Sequence, residues 1–584
     1  MLPDFAAALS QPVHEVQMLH DRRLPLRDGV ELSADVYLPL ADGPWPTIVQ
    51  WTPYESVRER FIAWGAWFAA RGYVAVVIDV RGRYESGGEF VAWTGDGEDA
   101  YDSIDWVVQQ PWSNGDVGTW GRSYGAIVQW QLARLRHPAI RCMAPQVISD
   151  DYYGDCHYLG GAFQLALSVG AAMIWNSSLS VVTGTAARHT VLNDRVLRHL
   201  PLETLDEVAL GRPIETWKNW MRHQDYDDYW RSVDHRYIYE HVDVPMLQQG
   251  GWFDAYPGSM MRQWQGLREQ AATELARNNQ RVLMGPWSHE EESGRTIGDL
   301  DFGPEAESVV RQHELRFYDH WLKGIDSGLA EEPPISLFTM GTNKWRRVAE
   351  WPLPGTVYVP WYLHSGGAAR SLAGDGVLST EAPVADEPAD TYRSDPLDPV
   401  PTVGGNNSVA TMMQNSSIPV GPGPSDQAPI ERRSDVLVYT SAELADDLDV
   451  TGPLEAVLYA TSDARNCDFV VRLSDVYPDG RSIFIAEGIV RARHRNGLDR
   501  SELLEPGKLE EYHIRCYPTS TVFLRGHRLR VTVASSSFPR ISRNLQSGHN
   551  IATDTEADAI VATQTVHHTA LYPSHLLLPV VPGA

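Results

Sequence analysis

Short apolar runs alternate with amphipathic segments over the first 146 residues of the chain. Segment 31–38 alternates polar and apolar side chains, as a half-buried strand does, whereas 73–80 is apolar almost throughout, as expected of a strand covered on both faces. Strands that alternate with helices predict an α/β fold class, with a mainly parallel sheet and helices on both faces. Further strands are predicted at 47–51 and 117–120, and helices at 62–71, 96–110 and 124–135.

The pattern changes near residue 149. Segments 163–174 and 202–220 have helical periodicity, and no strand signal lies between them. Strand signals return at 244–248 and 280–284. We therefore expect a helical insertion that interrupts the α/β domain at a loop, where insertions are tolerated.

A third pattern begins after residue 345. Short β-rich runs at 435–440, 454–460 and 529–534 are separated by Pro, Gly, Asn and Asp, which predicts an antiparallel sandwich or a jelly roll. Segment 395–426 is rich in Pro, Gly, Ser and Asn and is predicted to be a long loop. The predicted parts are 1–146 and 241–346 for the two pieces of the α/β domain, 147–240 for the helical insertion and 347–584 for the β domain.

The charge of the chain narrows the class of partner. The formal net charge of the 584 residues is −27, and no cluster of Lys and Arg offsets it. Because an acidic surface repels phosphate, neither nucleic acid nor an anionic membrane is expected as a partner. A small molecule is the expected ligand.

Cysteine usage and the chain start favour a cytoplasmic protein. The four cysteines include no CxxC pair, so free thiols in a reducing compartment are expected. The first residues lack the basic region of a signal peptide, and no run of about 18 apolar residues predicts a membrane span. No nucleotide-binding loop or metal-ligand motif is present, so no cofactor or metal is expected.

Ser123 lies at the centre of the sequence GRSYG, residues 121–125. The segment before it is strand-like and the segment after it is helical, which is the context of a nucleophile elbow. Gly121 and Gly125 leave room for a strained turn at the serine. This context favours a catalytic nucleophile over a structural turn serine.

An acid and a base follow later strands, in the chain order that this elbow requires. Asp254 comes after the predicted strand 244–248, and His289 comes after 280–284. Both lie past the carboxyl ends of strands, where open α/β sheets place their sites. Asp243 and Glu290 are rival acids, but Asp243 precedes its strand and Glu290 adjoins His289.

Two groups are candidates to stabilise an oxyanion. One is the backbone N–H of Tyr124, the residue after the nucleophile. The other is the hydroxyl of Tyr54, because the loop after strand 47–51 reads TPYE and lacks the glycines of lipase oxyanion loops. On these residues alone, Tyr54 as a wall aromatic remains the open alternative.

Six motifs stand in order along the chain. They are TPYES (52–56), DVRGRYESGGEF (79–90), QPWSNGDVGTWGRSYGA (110–126), GGWFDAYPGS (250–259), GPWSH (285–289) and RFYDHWLKG (316–324). Together they resemble the bacterial cocaine esterase family, which is related to X-prolyl dipeptidyl aminopeptidases and α-amino acid ester hydrolases. The resemblance covers nearly the whole chain and continues into its C-terminal part.

The resemblance implies an α/β-hydrolase domain, an inserted helical cap and a C-terminal jelly roll. It also implies a triad of Ser123, Asp254 and His289, with Tyr54 and the Tyr124 amide as oxyanion donors. A homodimer is possible by the same resemblance. The implied activity is ester hydrolysis through an acyl-enzyme.

One departure from the relatives bears on substrate choice. Relatives that accept a free α-amino group gather extra carboxylates beside the catalytic aspartate, whereas Asp254 is followed by AYPG. A buried ammonium without a carboxylate is costly, so uncharged acyl esters are favoured over amino-acid esters or X-Pro peptides. The acidic cap residues Asp150, Asp151 and Asp155 leave an anionic site open. Tyr256 and Trp175 are candidates for an acyl pocket, with core packing as the alternative.

Two alternatives remain at this level. An amidase, acylase or X-Pro dipeptidyl-peptidase would use the same three residues. A carbohydrate- or partner-binding protein, in which the jelly roll binds and the α/β domain is inert, is disfavoured by the ordered serine, aspartate and histidine.

Overall fold

A computed structural model describes residues 4–176, 193–289, 294–307, 309–384, 386–407 and 421–583. Two large sheets organise these residues, one on each side of residue 350. The strands before that point are β1 (Val16–Pro25), β2 (Glu31–Pro39), β3 (Trp45–Thr52), β4 (Val74–Asp79), β5 (Ser113–Arg122), β6 (Ile140–Gln146), β7 (Tyr158–Leu159), β8 (Ala162–Phe163), β9 (Leu247–Gly251), β10 (Arg281–Gly285), β11 (Thr296–Ile297), β12 (Leu300–Asp301), β13 (Ile335–Thr339) and β14 (Lys344–Val348).

The first sheet has the order β1-β2-β4-β3-β5-β6-β9-β10-β13-β14 among the described strands. The inner pairs from β4 through β3 to β13 are parallel, and the pairs β1–β2, β2–β4 and β13–β14 are antiparallel. The predicted mainly parallel sheet is therefore confirmed. The carboxyl ends of its parallel strands meet at one edge, where open α/β sheets bind their ligands.

Helices separate the strands of this sheet. The described α-helices are α1 (Glu59–Ala69), α2 (Asp96–Val108), α3 (Tyr124–Ala133), α4 (Leu165–Asn176), α5 (Asp194–Leu197), α6 (Leu205–Leu210), α7 (Glu215–Arg222), α8 (Asp228–Val233), α9 (Pro257–Gln270), α10 (Glu274–Asn278), α11 (Val310–Lys323) and α12 (Ala428–Glu431). In the part of the chain that the structure describes, none of these helices is both long and apolar enough to cross a bilayer.

Strand β2 is more buried than its sequence predicts. Residues 32–37 of β2 are buried on both faces, although their polar and apolar side chains alternate. Gly65 of α1 explains part of this burial, because a Cβ at that position would lie 2.4 Å from the ring of Tyr37. Helix α1 therefore packs directly on a face that the alternation predicts to be solvated. The polar positions of β2 are buried but hydrogen-bonded, as buried polar groups must be.

The insertion between β6 and β9 is mainly helical but differs from the prediction in two respects. The predicted helix 202–220 is wrong as a single element, because Gly211 in a left-handed conformation (φ 73°) ends α6 and Pro213 precedes α7. A π-helical turn (Tyr152–His157) and the short hairpin of β7 and β8 also lie in the insertion, where no strand is expected from the sequence.

Strand β9 begins later than predicted. It spans Leu247–Gly251 rather than 244–248. Pro245 has no N–H for the ladder, and its carbonyl instead accepts the N–H of Met143 at 3.1 Å. The predicted strand 280–284 corresponds to β10, shifted by a single residue.

The second sheet closes on itself. Its strands are β15 (Val357–His364), β16 (Val377–Ser379), β17 (Asp390–Ser394), β18 (Leu437–Thr440), β19 (Leu448–Ser462), β20 (Asp468–Val476), β21 (Ser482–Arg491), β22 (Glu510–Phe523), β23 (Arg528–Ala534), β24 (Ala562–His567) and β25 (His575–Val580). Strand β25 pairs with both β15 and β19, so hydrogen bonds close a β-barrel. Most neighbours are antiparallel, and β16–β18 is a parallel pair.

The predicted loop 395–426 contains no helix or strand in its described parts, 395–407 and 421–426, where only isolated bridges occur. Residues 408–420 of this prediction lie outside the described residues.

The two sheets contact each other through Met340, whose N–H and carbonyl both bond to β22, with Ser520 and Val522 as partners at 2.9 Å. The predicted division into parts 1–146, 147–240, 241–346 and 347–584 stays a prediction.

Candidate active site

Ser123 occupies a strained turn between β5 and α3. Its φ is +53° and its ψ is −119°, a conformation that costs free energy for a residue with a Cβ. A Cβ on Gly125 would lie 2.8 Å from the carbonyl oxygen of Trp51, and one on Gly121 would lie 3.1 Å from Gly125. Close backbone approach therefore requires glycine at 125, and Gly121 is constrained by its φ of +151°, which residues with a side chain rarely adopt. The Ser123 N–H donates to Gln146 of β6 at 3.0 Å, which fixes the turn on the sheet.

Tyr124 begins helix α3, directly after the serine. The first N–H groups of a helix have no partner inside the helix, and they lie at its positive end. The Tyr124 side chain is buried, and its hydroxyl donates to Asp96 at 2.8 Å while accepting the Trp93 N–H at 3.1 Å. These bonds hold the residue so that its amide is fixed beside Ser123.

The side chain of Tyr54 reaches the same serine. Its hydroxyl donates to Oγ of Ser123 at 3.4 Å, across the gap between the loop after β3 and the elbow. The Tyr54 N–H donates to Thr52 at 3.0 Å, so the loop folds back on the end of its strand. A hydroxyl beside a nucleophile can donate to an oxyanion formed there.

Asp254 and His289 form a hydrogen-bonded pair. Nδ1 of His289 lies 2.8 Å from Oδ1 of Asp254. The aspartate is 1% exposed, whereas the histidine side chain is 14% exposed. A buried carboxylate on Nδ1 fixes the tautomer that leaves Nε2 available as a base. The structure therefore brings these two predicted residues together.

The loops that carry this pair are tied to each other at the ends of β9 and β10. Phe253 donates its N–H to the Trp287 carbonyl at 2.9 Å. A Cβ on Gly251 would lie 2.1 Å from that same carbonyl oxygen, so only glycine permits this approach. This close packing is the physical reason for Gly251, whereas a Cβ on the preceding Gly250 would lie 3.0 Å from the side chains of Met260 and Met284.

Two further residues support the loops and are missed by the sequence reasoning. Asn406, from the loop after β17, donates to the backbone carbonyls of Trp252 and Asp254, both at 2.7 Å. Arg122, beside Ser123 in the chain, donates to the backbone carbonyl of His289. Arg122 is visible inside the GRSYG motif, but no sequence signal marks Asn406, which lies far from Asp254 along the chain.

The rival acids do not take the place of Asp254 in the described structure. Asp243 precedes β9, at the opposite end of the strand from Asp254, and its backbone carbonyl accepts the hydroxyl of Thr273 at 2.9 Å. Burial raises the pKa of the Asp243 carboxyl. Glu290 lies outside the described residues.

Aromatic side chains of the insertion pack beside the elbow. The Trp175 ring, at the end of α4, lies 5.2 Å from the Tyr124 ring and 6.0 Å from Trp93. Tyr256, which follows β9, has its ring 6.0 Å from that of His289 and its hydroxyl 3.4 Å from Sγ of Cys156. Burial raises the pKa of the Cys156 thiol to about 12, so this thiol is unreactive.

Arginine side chains form ion pairs with the acidic residues Asp150, Asp151 and Asp155 of the insertion. Arg262 of α9 reaches Asp150 at 2.6 Å and also pairs with Asp155, and Arg515 reaches Asp155 at 2.5 Å. Although burial opposes ionisation, these two guanidinium groups hold the pKa of Asp155 well below its usual range.

Asp151 is the third of these carboxylates. Burial, with repulsion from Asp155, raises the pKa of Asp151 to about 6, while Arg236 opposes that rise from 3.0 Å. Each of the acidic residues that left an anionic site open therefore has an arginine partner.

One group of metal-ligating side chains occurs within the described ranges. His549, Asp554 and Asp558 place one ligand atom each within 4.8 Å of one another. The carboxylates are also engaged locally, since Asp554 accepts the Ser547 hydroxyl at 2.6 Å and Asp558 accepts from Thr555 at 2.9 Å. None of the three belongs to the residues predicted for catalysis.

Comparison with known proteins places the chain among serine hydrolases. Residues 28–291 match the family model "X-Pro dipeptidyl-peptidase (S15 family)", and 327–577 match "X-Pro dipeptidyl-peptidase C-terminal non-catalytic domain". The cocaine esterase of Rhodococcus sp. (strain MB1 Bresler) is 36% identical over 586 residues, covering 96% of this chain and 97% of the relative.

Two solved structures are similar over the whole chain. An α-amino acid ester hydrolase has a TM-score of 0.83 at 25% identity, covering 100% of both chains. An aminopeptidase from a marine sediment archaeon, Thaumarchaeota archaeon, has a TM-score of 0.82 at 26% identity, covering 100% of this chain and 98% of the other.

The two family models that match, one for the peptidase part and one for the C-terminal domain, define a serine hydrolase of the S15 group. Within that group, the identity of 36% along nearly the full length decides the assignment. The chain belongs to the bacterial cocaine esterase family of serine hydrolases, as its ordered motifs predict.

Proposed function

We propose that this protein is a carboxylesterase that cleaves uncharged acyl esters through an acyl-enzyme on Ser123. The observation that carries the proposal is the 3.4 Å contact of the Tyr54 hydroxyl with Ser123 Oγ, on a turn with φ +53°. A serine held in a strained turn, with a hydroxyl donor beside it, has the parts of a nucleophile and an oxyanion site. The His289–Asp254 pair supplies the base and its orienting carboxylate.

The proposed reaction has two steps that use the same groups, acylation of Ser123 and hydrolysis of the acyl-enzyme. Oγ of Ser123 attacks the ester carbonyl carbon as its proton passes to Nε2 of His289. The oxyanion accepts hydrogen bonds from the Tyr54 hydroxyl and the Tyr124 amide, and its collapse breaks the ester C–O bond. His289 returns the proton to the leaving alcohol. Water then repeats the attack on the acyl-enzyme and releases the carboxylic acid.

The neutralised acidic residues support an uncharged acyl group. A substrate ammonium needs a carboxylate, because an unpaired buried cation is costly. Asp155 is held by Arg262 and Arg515, and the position after Asp254 is Ala255. An incoming ammonium would have to displace an arginine from its carboxylate. We therefore favour acyl esters without a free α-amino group, with Trp175 and Tyr256 as walls of the acyl pocket.

A second candidate is an amidase, acylase or X-Pro dipeptidyl-peptidase that uses the same residues. The S15 family model and the similar aminopeptidase structure favour it. Amide cleavage requires His289 to protonate an amine leaving group, which the same geometry allows. The difference between the two candidates lies in recognition of the amino terminus, not in the chemistry of the serine.

Matched substrates separate the candidates. We would compare p-nitrophenyl butyrate, its butyryl p-nitroanilide analogue and glycyl-prolyl-p-nitroanilide on the purified protein. The proposal expects kcat/KM to be highest for the ester, whereas a dipeptidyl-peptidase would prefer the X-Pro amide. Fluorophosphonate labelling of the wild type and S123A identifies the nucleophile, and labelling of S123A at the wild-type rate would overturn the assignment.

The wider arrangement belongs to the same proposal. The order of the first sheet and the position of the insertion after β6 support an α/β-hydrolase domain with a helical cap. The closed β-barrel supports a C-terminal domain of jelly-roll type. A cytoplasmic location and a homodimer remain part of the proposal. Gel filtration with light scattering tests the dimer.

A further inference from the structure

Ser56 anchors the loop that carries Tyr54. Its N–H donates to Oδ1 of Asp79 at 2.8 Å. Its hydroxyl lies 2.7 Å from Oδ2 of Asp35 and 3.0 Å from Oδ2 of Asp79. All three side chains are buried, with 1% exposure at Ser56 and none at either aspartate. Because Tyr54 is two residues from this anchor, its hydroxyl position depends on where Ser56 is held.

The three oxygen atoms need one more proton than the serine supplies. A serine hydroxyl has a single hydrogen to donate, and two carboxylate oxygens lie within hydrogen-bond distance of it. If both aspartates were ionised, the serine could donate to only one of them. In the other contact, a lone pair of the serine oxygen would face a lone pair of the carboxylate oxygen without water between them. A carboxylic acid that donates to the serine oxygen removes this conflict.

The surroundings decide which aspartate carries the proton. The other oxygen of Asp35, Oδ1, meets Nδ1 of His20 at 2.6 Å and the N–H of Asp21 at 3.0 Å. The hydrogen bond and the charge of Asp35 raise the pKa of His20. Oδ1 of Asp35 thus already faces two donors, the His20 ring and a backbone N–H, and Oδ2 is left for the Ser56 hydroxyl. The proton therefore belongs on the second aspartate.

Among the described residues, the groups that most strongly shift the ionisation of Asp79 include no cation. Burial, the largest cause, raises the pKa of Asp79 to about 8, and the charges of Glu85 and Asp35 act in the same direction. The hydrogen bonds from Ser56 oppose the rise. In the part of the chain that the structure describes, these contacts and charges tie the shared hydroxyl to Asp35 from β2, Glu85 from the loop after β4 and, through Asp35, His20 from β1.

We propose that Asp79 is a protonated positioning residue for catalysis. Its carboxyl proton is donated to Oγ of Ser56, Ser56 donates its own proton to Asp35, and this chain holds the Tyr54 hydroxyl beside Ser123. The inference rests on the proposed role of Tyr54 as an oxyanion donor. Loss of the Asp79 proton sets a second carboxylate against the serine oxygen and displaces the loop, so the rate of acylation falls at alkaline pH.

Two substitutions of Asp79 test the proton directly. An asparagine reproduces the neutral acid, since its amide donates to the serine oxygen and its carbonyl accepts the serine N–H, but it does not titrate. D79N is expected to keep kcat for p-nitrophenyl acetate within about threefold of wild type near neutral pH, and to lack the wild-type fall above about pH 8. D79A removes the donor and is expected to lower kcat about 10–100-fold with KM little changed.

The opposite pattern overturns the inference. If D79N loses as much activity as D79A, or keeps the wild-type alkaline fall, the proton is not on Asp79. Thermal unfolding gives a readout that does not depend on activity. D79N is expected to melt above wild type near pH 8, with the difference shrinking toward pH 4, because the unfolded wild type releases a proton that the folded protein retains. A constant difference across this range overturns the inference.

A coupled substitution shows whether Asp79 acts through Tyr54. In a Y54F background, D79A is expected to cost little further activity, because the hydroxyl that it positions is already gone. Full additivity overturns the inference. A different experiment tests the proposed function itself. If S123A is labelled by fluorophosphonate as fast as wild type, the proposed function fails, and this result does not depend on the behaviour of the Asp79 variants.

Discussion

Oδ1 of Asp254 holds Nδ1 of His289 at 2.8 Å, and the two residues come from loops after neighbouring parallel strands. The pairing of β9 with β10 brings these loops side by side, and the contact of Phe253 with the Trp287 carbonyl fixes their spacing. The imidazole is thus oriented from one side by a buried acid. Its other nitrogen is the one that the proposed reaction uses as the base.

Replacing Asp254 with asparagine is expected to lower kcat about 10⁴-fold, because the amide favours the wrong imidazole tautomer while leaving the fold intact. Steady-state kinetics on p-nitrophenyl butyrate would measure the loss, with the melting temperature as a check on folding. D243N is the matched control, since Asp243 lies before β9 and should leave kcat unchanged. Equal losses in the two variants would remove Asp254 from its proposed role.

Replacing Tyr54 with phenylalanine is expected to lower kcat about 10²–10³-fold, because one of the two proposed oxyanion donors is lost. KM should change little, since the hydroxyl acts mainly on the transition state. Y101F provides a control, because Tyr101 is a half-buried tyrosine that packs on His137. A rise in KM with unchanged kcat would show that Tyr54 is only a pocket wall.

Adding a methyl group at Gly125 is expected to reduce both activity and stability. The new Cβ would lie 2.8 Å from the Trp51 carbonyl oxygen, and forcing atoms into a packed site typically costs about 1–3 kcal/mol. Trp51 lies at the end of β3, so its displacement also moves the loop of Tyr54. G421A is the control, because a Cβ there meets nothing within 4 Å. Wild-type activity in G125A would contradict the close approach.

The sequence predicts the parts of this site that local pattern determines. A strand, a glycine-flanked serine and a helix follow one another within residues 113–133, and this order is enough to predict the turn at Ser123. Asp254 and His289 are also found by pattern, because each follows an apolar strand. The elbow and the two loop positions are local features, and periodicity reports them directly.

Contacts between distant segments escape the sequence. Asn406 donates to the backbone of Asp254 although the two residues lie far apart in the sequence. Ser56 contacts Asp79 and Asp35 only once β2 and β4 have paired. The closure of the barrel by β25 is equally non-local. These features arise from tertiary packing, which no spacing of hydrophobic residues encodes.

His568 is expected to make stability depend on pH. Burial lowers its pKa, but contacts with Asp390 at 2.9 Å and Glu387 at 3.2 Å outweigh burial and raise the pKa overall. A raised folded pKa means that the stabilisation is complete below the unfolded value of 6.5 and is lost as pH rises through the folded value. H568Q should therefore lower the melting temperature more near pH 6 than near pH 9. H567Q is the control. Burial and the His568 charge lower the pKa of His567, so this variant should lower the melting temperature more near pH 9 than near pH 6. Parallel pH profiles for the two variants would contradict the charged state of His568.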